Sequence, residues 1–149
     1  MKLNMKNQKG VTLLELIIVM VIITIGATLM APGLSSWLPL YRLRSATRDI
    51  ASTMRIAQMK AISNNLTYQI SFVPGNRSYI LQYQDTGGGL VDDGDLQVLS
   101  NGFQLNTTLA GNTAIFRPDS TITGGIVNII NPKGSQKTIQ LAGRRIRIE

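Results

Sequence analysis

From Val11 to Leu34 the chain reads VTLLELIIVMVIITIGATLMAPGL, apolar on every side of a helix, with one charged residue, Glu15. No other feature constrains the fold as strongly, because a helix without a polar face has to be covered by lipid or by other helices. At a rise of ~1.5 Å per residue this length matches a hydrocarbon core roughly 30 Å thick, so the sequence predicts a segment able to span a membrane. Lys2, Lys6 and Lys9 precede it and would hold its amino end in the cytoplasm. An acid inside such a run costs about 2.5–3.5 kcal/mol on insertion scales unless a partner or the interface relieves it. Glu15 therefore asks for a partner.

The residue inventory narrows the chemistry. A chain of 149 residues suits one small domain and an appendage. Cysteine and histidine are both absent, which removes disulfides, thiolate nucleophiles, Ser-His relays and the commonest zinc ligands. Neither enzymatic turnover nor a cofactor is expected. From Val11 onward the chain carries 12 basic and 8 acidic side chains. That mild excess permits anionic partners, yet solubility alone would also account for it.

The amino-terminal run is too long for a cleaved secretory signal, and GATLMAPGL after it is a poor small-x-small site. A plain signal anchor would fit the topology and leave Glu15 unexplained. The stretch KGVTLLELIIVM instead resembles the amino-terminal signature of type IV pilins and type II secretion pseudopilins, a basic leader ending in Gly and then an apolar helix with Glu at its fifth position. The resemblance implies that a prepilin peptidase cuts between Gly10 and Val11 and methylates the new amine. The family usually begins its mature chain with Phe or Met, where this chain has Val11. It further implies that the helix is retained and that the Glu15 carboxylate meets the terminal ammonium of a neighbouring subunit, where the two charges neutralise each other in a low dielectric.

Pro32 and Gly33 are expected to interrupt the helix, and Trp37 and Tyr41 suit a membrane interface. Beyond them Leu43, Ala46, Ile50, Met54, Ala57 and Ala61 recur at helical steps, predicting one apolar stripe against a core. Arg42, Arg44, Arg48, Arg55 and Lys60 fall on other faces and read as a solvated surface. The triplet SNN at 63–65 closes this helix. From there the period changes to two. Strands are predicted at 67–73, 78–84, 96–100, 103–107, 113–117, 125–130, 137–141 and 144–148, with turns at PGNR (74–77), NPKG (131–134) and AG (142–143). The expected architecture is α+β: a long amino-terminal helix, membrane half then amphipathic half, on an antiparallel domain of two small sheets. Its parts are a leader (1–10), an assembly helix (11–34), an amphipathic helix (35–65) and a β-rich domain (66–149).

The carboxyl half, IFRPDSTITGGIVNIINPKGSQKTIQLAGRRIRI, is similar to the GspH/FimT group of minor pilins and pseudopilins. Phe116, Pro118, Asp119, Gly124, Gly125, Gly143 and Arg144 stand where that pattern places them, and Ser120 replaces a turn Gly. In some members a terminal Gly-Arg-x-Arg segment binds DNA during uptake. Here Gly143 and Arg144 fit, while Arg147 falls one place late. On an extended strand Arg145 and Arg147 share a face about 6.8 Å apart, with Lys133 and Lys137 as additions from the preceding hairpin. Contacts of that kind with duplex phosphates would be salt-sensitive and sequence-independent. Arginines on an edge strand also keep it from pairing with other chains, and either role fits the sequence. Asp92, Asp93 and Asp95, with Asp85, crowd a Gly-rich segment; Ca²⁺ is a conceivable ligand there, and a solvated loop the simpler reading.

The resemblance implies a bacterial inner-membrane protein, single-pass and with a periplasm-facing domain, that joins other pilins or pseudopilins in a helical filament. Two roles share that leader and fold, a type IV pilus minor pilin that initiates or caps assembly and contacts DNA, and a type II secretion pseudopilin that promotes protein export. A third reading, a monomeric anchored domain, needs no filament at all.

Overall fold

The computed structural model describes residues 11–149, the side chains at positions 30–36 excepted. Gly10 and the rest of the expected leader lie outside the described residues. One helix, α1 (Leu13–Asn64), is followed by nine strands: β1 (Tyr68–Val73), β2 (Ser78–Gln84), β3 (Leu90–Asp92), β4 (Gln97–Val98), β5 (Gln104–Thr107), β6 (Thr113–Phe116), β7 (Gly125–Ile130), β8 (Gln136–Ala142) and β9 (Arg145–Ile148). The chain divides into two units, Met1–Trp37 and Leu38–Glu149.

In the first unit the described residues of α1 up to Leu29 are solvent-exposed, Gly26 being half-buried; Leu13, Leu14 and Leu29, and Val11 just before the helix, are each at least 69% exposed. Among the described residues no helix is long and apolar enough to cross a membrane. The described part of the apolar run within α1, Leu13 to Leu29, would extend about 26 Å, short of a ~30 Å hydrocarbon core. The helix assignment continues through Pro32 and Gly33, so the expected interruption is not a break. Proline removes a single N–H donor and leaves the bonds of the neighbouring turns in place.

In the second unit α1 packs on two antiparallel sheets. The first has the order β3-β2-β1-β6 with β4 also on β2, and the second has the order β5-β7-β8-β9. Leu43, Ile50, Met54, Ala57 and Ala61 are buried as the stripe predicts, together with Thr47 and Ala51, while Ala46 is only half-buried. Alanine at three of these sites lets the sheets approach the helix closely. Tyr68, Ile70, Phe72, Ala114 and Phe116 face them from the first sheet, and Leu105, Val127, Ile129, Ile139 and Leu141 from the second. Asn65, with φ 53°, takes the left-handed position that ends α1, as SNN suggests. The α+β expectation and all eight predicted strands are found. What the sequence missed is β3, inside the acidic Gly-rich segment, where Gln82 pairs with Asp92 and Gln84 with Leu90. The strand expected at 96–100 shrinks to Gln97–Val98.

Candidate functional site

The first site is the start of α1. Thr12 precedes the first helical residue, and its hydroxyl accepts the Glu15 N–H at 3.2 Å while its carbonyl accepts the Leu16 N–H at 3.2 Å. Thr12-Leu-Leu-Glu15 thus has the spacing of a capping box. Glu15 lies in the first turn of α1, at the positive end of the helix dipole. That position lowers the insertion cost estimated for an acid deep in a spanning helix. Sequence reasoning overlooked Thr12, although a Thr three residues before Glu and ahead of an apolar run is itself a signal. Val11 is exposed beside it.

The acidic segment does not assemble into an ion site. Asp92 lies on β3 and accepts from Gln82 Nε2 at 2.8 Å, whereas Asp93 is ion-paired with Lys60 Nζ at 2.7 Å. Asp85 is spent on Thr86, accepting its N–H at 2.7 Å. Strand formation by β3 turns neighbouring carboxylates to different partners, and among the described residues no three acidic side chains converge as metal ligands. The Asp93 bond is also the main reason why the Lys60 pKa is raised.

The basic carboxyl-terminal residues divide between the two faces of the second sheet. β9 pairs with β8 in the register Ala142↔Arg145, Leu141↔Ile146, Gln140↔Arg147 and Ile139↔Ile148, around a turn in which Gly143 has φ 61°. Arg145 and Arg147 share a face, as expected, and with Gln140 and Ala142 line a cleft of about 200 Å³. Glu149 stands on that face too, accepting from Gln140 Nε2 at 3.2 Å. Lys137 is not there. It has the parity of Ile139 and Leu141, whose side chains are buried against the helix side, and it lines a different cleft with Arg44 and Arg48 of α1. Lys133 sits in the β7–β8 turn, which Asn131 organises by accepting the N–H groups of Lys133 and Ser135 at 3.0 and 2.8 Å. Arg144, in the β8–β9 turn, is tethered through its carbonyl to Gln58 Nε2 at 3.3 Å. The same Gln58 nitrogen lies 3.4 Å from the Ser120 carbonyl in the turn after β6, so one helical side chain holds two turns of the carboxyl half. In the turn after β6 Asp119 accepts from the Thr121 hydroxyl at 2.6 Å and its N–H at 2.9 Å, which hold its carboxyl below the ordinary value, with Arg117 and Arg144 adding to the effect.

An exposed apolar helix with a capped acid in its first turn, continuing into a helix packed on antiparallel sheets, defines a pilin-like chain. Two family models match: one described as the prokaryotic N-terminal methylation motif, over residues 5–31, and one described as type II transport protein GspH, over residues 46–145. The second spans more than half of the sequence, and the chain belongs to the GspH family. Among solved structures it is similar to the minor pseudopilin EpsH from the type II secretion system of Vibrio cholerae, at 12% identity and a TM-score of 0.65 over 72% of this chain and 96% of that one. It is also similar to the type IV minor pilin FimU of Pseudomonas aeruginosa, at 14% identity and a TM-score of 0.60 over 72% of this chain and 87% of that one. At these identities the likeness concerns the fold. A comparison with curated proteins finds no match.

Proposed function

We propose that the chain is a minor subunit of a type IV pilus filament, cleaved between Gly10 and Val11 by a prepilin peptidase, methylated at Val11 and carried into the filament from the inner membrane by the helix over 11–34. The observation behind this is the pairing of a capped Glu15 with an otherwise apolar, uncovered helix. A terminal ammonium from a neighbouring subunit would neutralise that acid where water is excluded, so a subunit in the wrong register leaves two charges unmatched. Mass spectrometry of the filament fraction should find a methylated chain beginning at Val11, and Glu15→Ala should reduce its recovery from filaments while leaving processing intact. An unprocessed chain in filaments, or undiminished recovery of the variant, refutes the reading. Deletion should impair pilus assembly or motility; loss of exoprotein release alone would assign the chain to a type II secretion pseudopilus.

The exposed pair Arg145 and Arg147 in one cleft supports a second role, contact with DNA phosphates during uptake. Without Lys137 on that face, two phosphates are the natural number, and log K should fall with log salt at a slope of about −1.8. A gel-shift titration with Arg145→Ala and Arg147→Ala tests it: no shift, or no loss in the variants, removes the role.

A further inference from the structure

In the globular domain three cations from two elements meet on one flank of α1. Arg44 and Arg48, one helical turn apart, and Lys137 of β8 line a cleft of about 180 Å³ together with Thr47 and Ile148. Thr47 is buried and its hydroxyl donates to the Leu43 carbonyl at 2.7 Å, so the cations are the free polar side-chain groups of the cleft. No acidic residue lines it, and among the described residues no carboxylate pairs with any of the three. One wall is apolar, for Ile148 is 40% exposed. Tyr41, exposed one turn before Arg44, shares the helix face of Arg44 and Arg48, and Leu38 and Leu40 are exposed just ahead of it.

We propose that this cleft holds the phosphate of an anionic phospholipid headgroup, in the membrane leaflet on the side of the globular domain. The proposal rests on the membrane-anchored reading above and adds a ligand to it. Its argument is the order of chemistry along the sequence. The apolar run ends at Leu34, exposed Leu38, Leu40 and Tyr41 follow, and Arg44 comes next on the face of Tyr41; hydrocarbon, then amphipathic ring, then cation is the order met on leaving a bilayer. Guanidinium groups suit a phosphate because each presents a planar fork of donors, and the stems of Arg and Lys lie along apolar surface while their heads stay at headgroup level. Lys137 adds a grip from a second element, so a headgroup held between α1 and β8 would fix the orientation of the domain as well as its height. A nucleic-acid duplex would use the cations and leave Ile148, Leu38 and Leu40 without a partner, whereas a lipid uses both. The subunit is thereby held upright in the membrane before it enters a filament.

The chain has no cysteine, so an environment-sensitive dye on Ser45→Cys, exposed next to Arg44, reports from a single place. The full-length chain in non-ionic detergent micelles is titrated with dioleoylphosphatidylglycerol. A saturable response that weakens with added salt is expected, and none with dioleoylphosphatidylcholine. At about fivefold per basic residue, Arg44→Gln with Arg48→Gln should weaken binding about 25-fold and Lys137→Gln about fivefold. Arg44→Lys with Arg48→Lys should keep most of the affinity, which separates loss of charge from damage to the fold. Arg42→Gln with Arg55→Gln, two exposed arginines outside the cleft, should change it by less than about twofold. The proposal is overturned if phosphatidylcholine binds as well, or if the changes at 42 and 55 cost as much as those at 44 and 48, which would mean general charge attraction. It is also overturned if inorganic phosphate displaces the lipid at equal concentration, making this a site for free phosphate, or if a short DNA duplex binds more tightly, making it a nucleic-acid site. A chain methylated at Val11 and present in filaments that gives no phosphatidylglycerol response refutes the headgroup site while the proposed function stands; an unprocessed chain in filaments refutes that function.

Discussion

Phe116 offers a direct test of how the domain is held together. It is fully buried on β6, and its backbone is pinned on both sides, by Tyr68 of β1 and by the bridge to Ile122. The turn that follows is closed by the Arg117 N–H on the Thr121 carbonyl at 3.0 Å. Pinned in this way, the surroundings have little freedom to collapse into the space left by Phe116→Ala. The loss should therefore be about 4 kcal/mol, within the usual 3–5 kcal/mol for Phe→Ala. That is a large share of the roughly 5–15 kcal/mol that stabilises a domain. The buried core runs from Leu43 to Leu141, so residues 38–149 are the natural unit to measure. They exclude Trp37, the sole tryptophan, so far-ultraviolet circular dichroism is the probe. Urea titration should show a midpoint lowered by about 2 M at an unchanged slope, with Ile56→Ala on the exposed face moving it by less than ~0.3 M. A Phe116→Ala midpoint within ~0.5 M of the parent would mean that the cavity closes, contradicting a rigidly pinned strand.

A Cβ at Gly125 would lie 2.5 Å from Leu109 Cδ2 and 3.1 Å from Cγ, and Leu109 is buried. Gly125→Ala should therefore cost about 1–3 kcal/mol in urea unfolding, with Leu109→Ala added to it costing less than the sum of the two single changes. Asp119 titrates below its ordinary 3.8 in the folded domain, chiefly through Thr121, so its stabilising effect is complete above that value and disappears as pH falls through the lower, folded one. Thr121→Val should accordingly flatten the fall in stability below about pH 4, measured by thermal unfolding at several pH values. Thr12→Ala removes the hydroxyl that caps Glu15 and should destabilise the first turn by about 1 kcal/mol, read as faster amide exchange at Glu15 and Leu16 in detergent micelles. Unchanged exchange would show that Thr12 does not hold that turn.

Much of the domain was legible because its elements are long and one-sided. The stripe from Leu43 to Ala61 needs only the helical period, and the hairpins need only alternation and a turn. Leu90–Asp92 was hidden because three residues carry too little alternation to register, and none of them is buried. Their strand exists because β2 offers a hydrogen-bonding edge, a tertiary cause with no local signature. The Lys60–Asp93 pair is likewise a contact between distant segments, invisible to any reading of either one.

The placement of Lys137 was readable and was still missed. Lys137 has the parity of Ile139 and Leu141, so once those two are assigned to the core, Lys137 must point to the helix side. Across the turn, the register Leu141↔Ile146 gives that side to Ile146 and the opposite one to Arg145 and Arg147. An arginine at 146, as a Gly-Arg-x-Arg spacing would require, would share the side of Lys137 and of Ile148, which lines the cleft with Arg44 and Arg48. The extra residue in GRRIR moves it to the face of Gln140 and Glu149, because a shift of one position along a strand exchanges the two sides of the sheet. Three cations with no carboxylate partner among the described residues therefore line the cleft between α1 and β8, and the terminal motif contributes none of them.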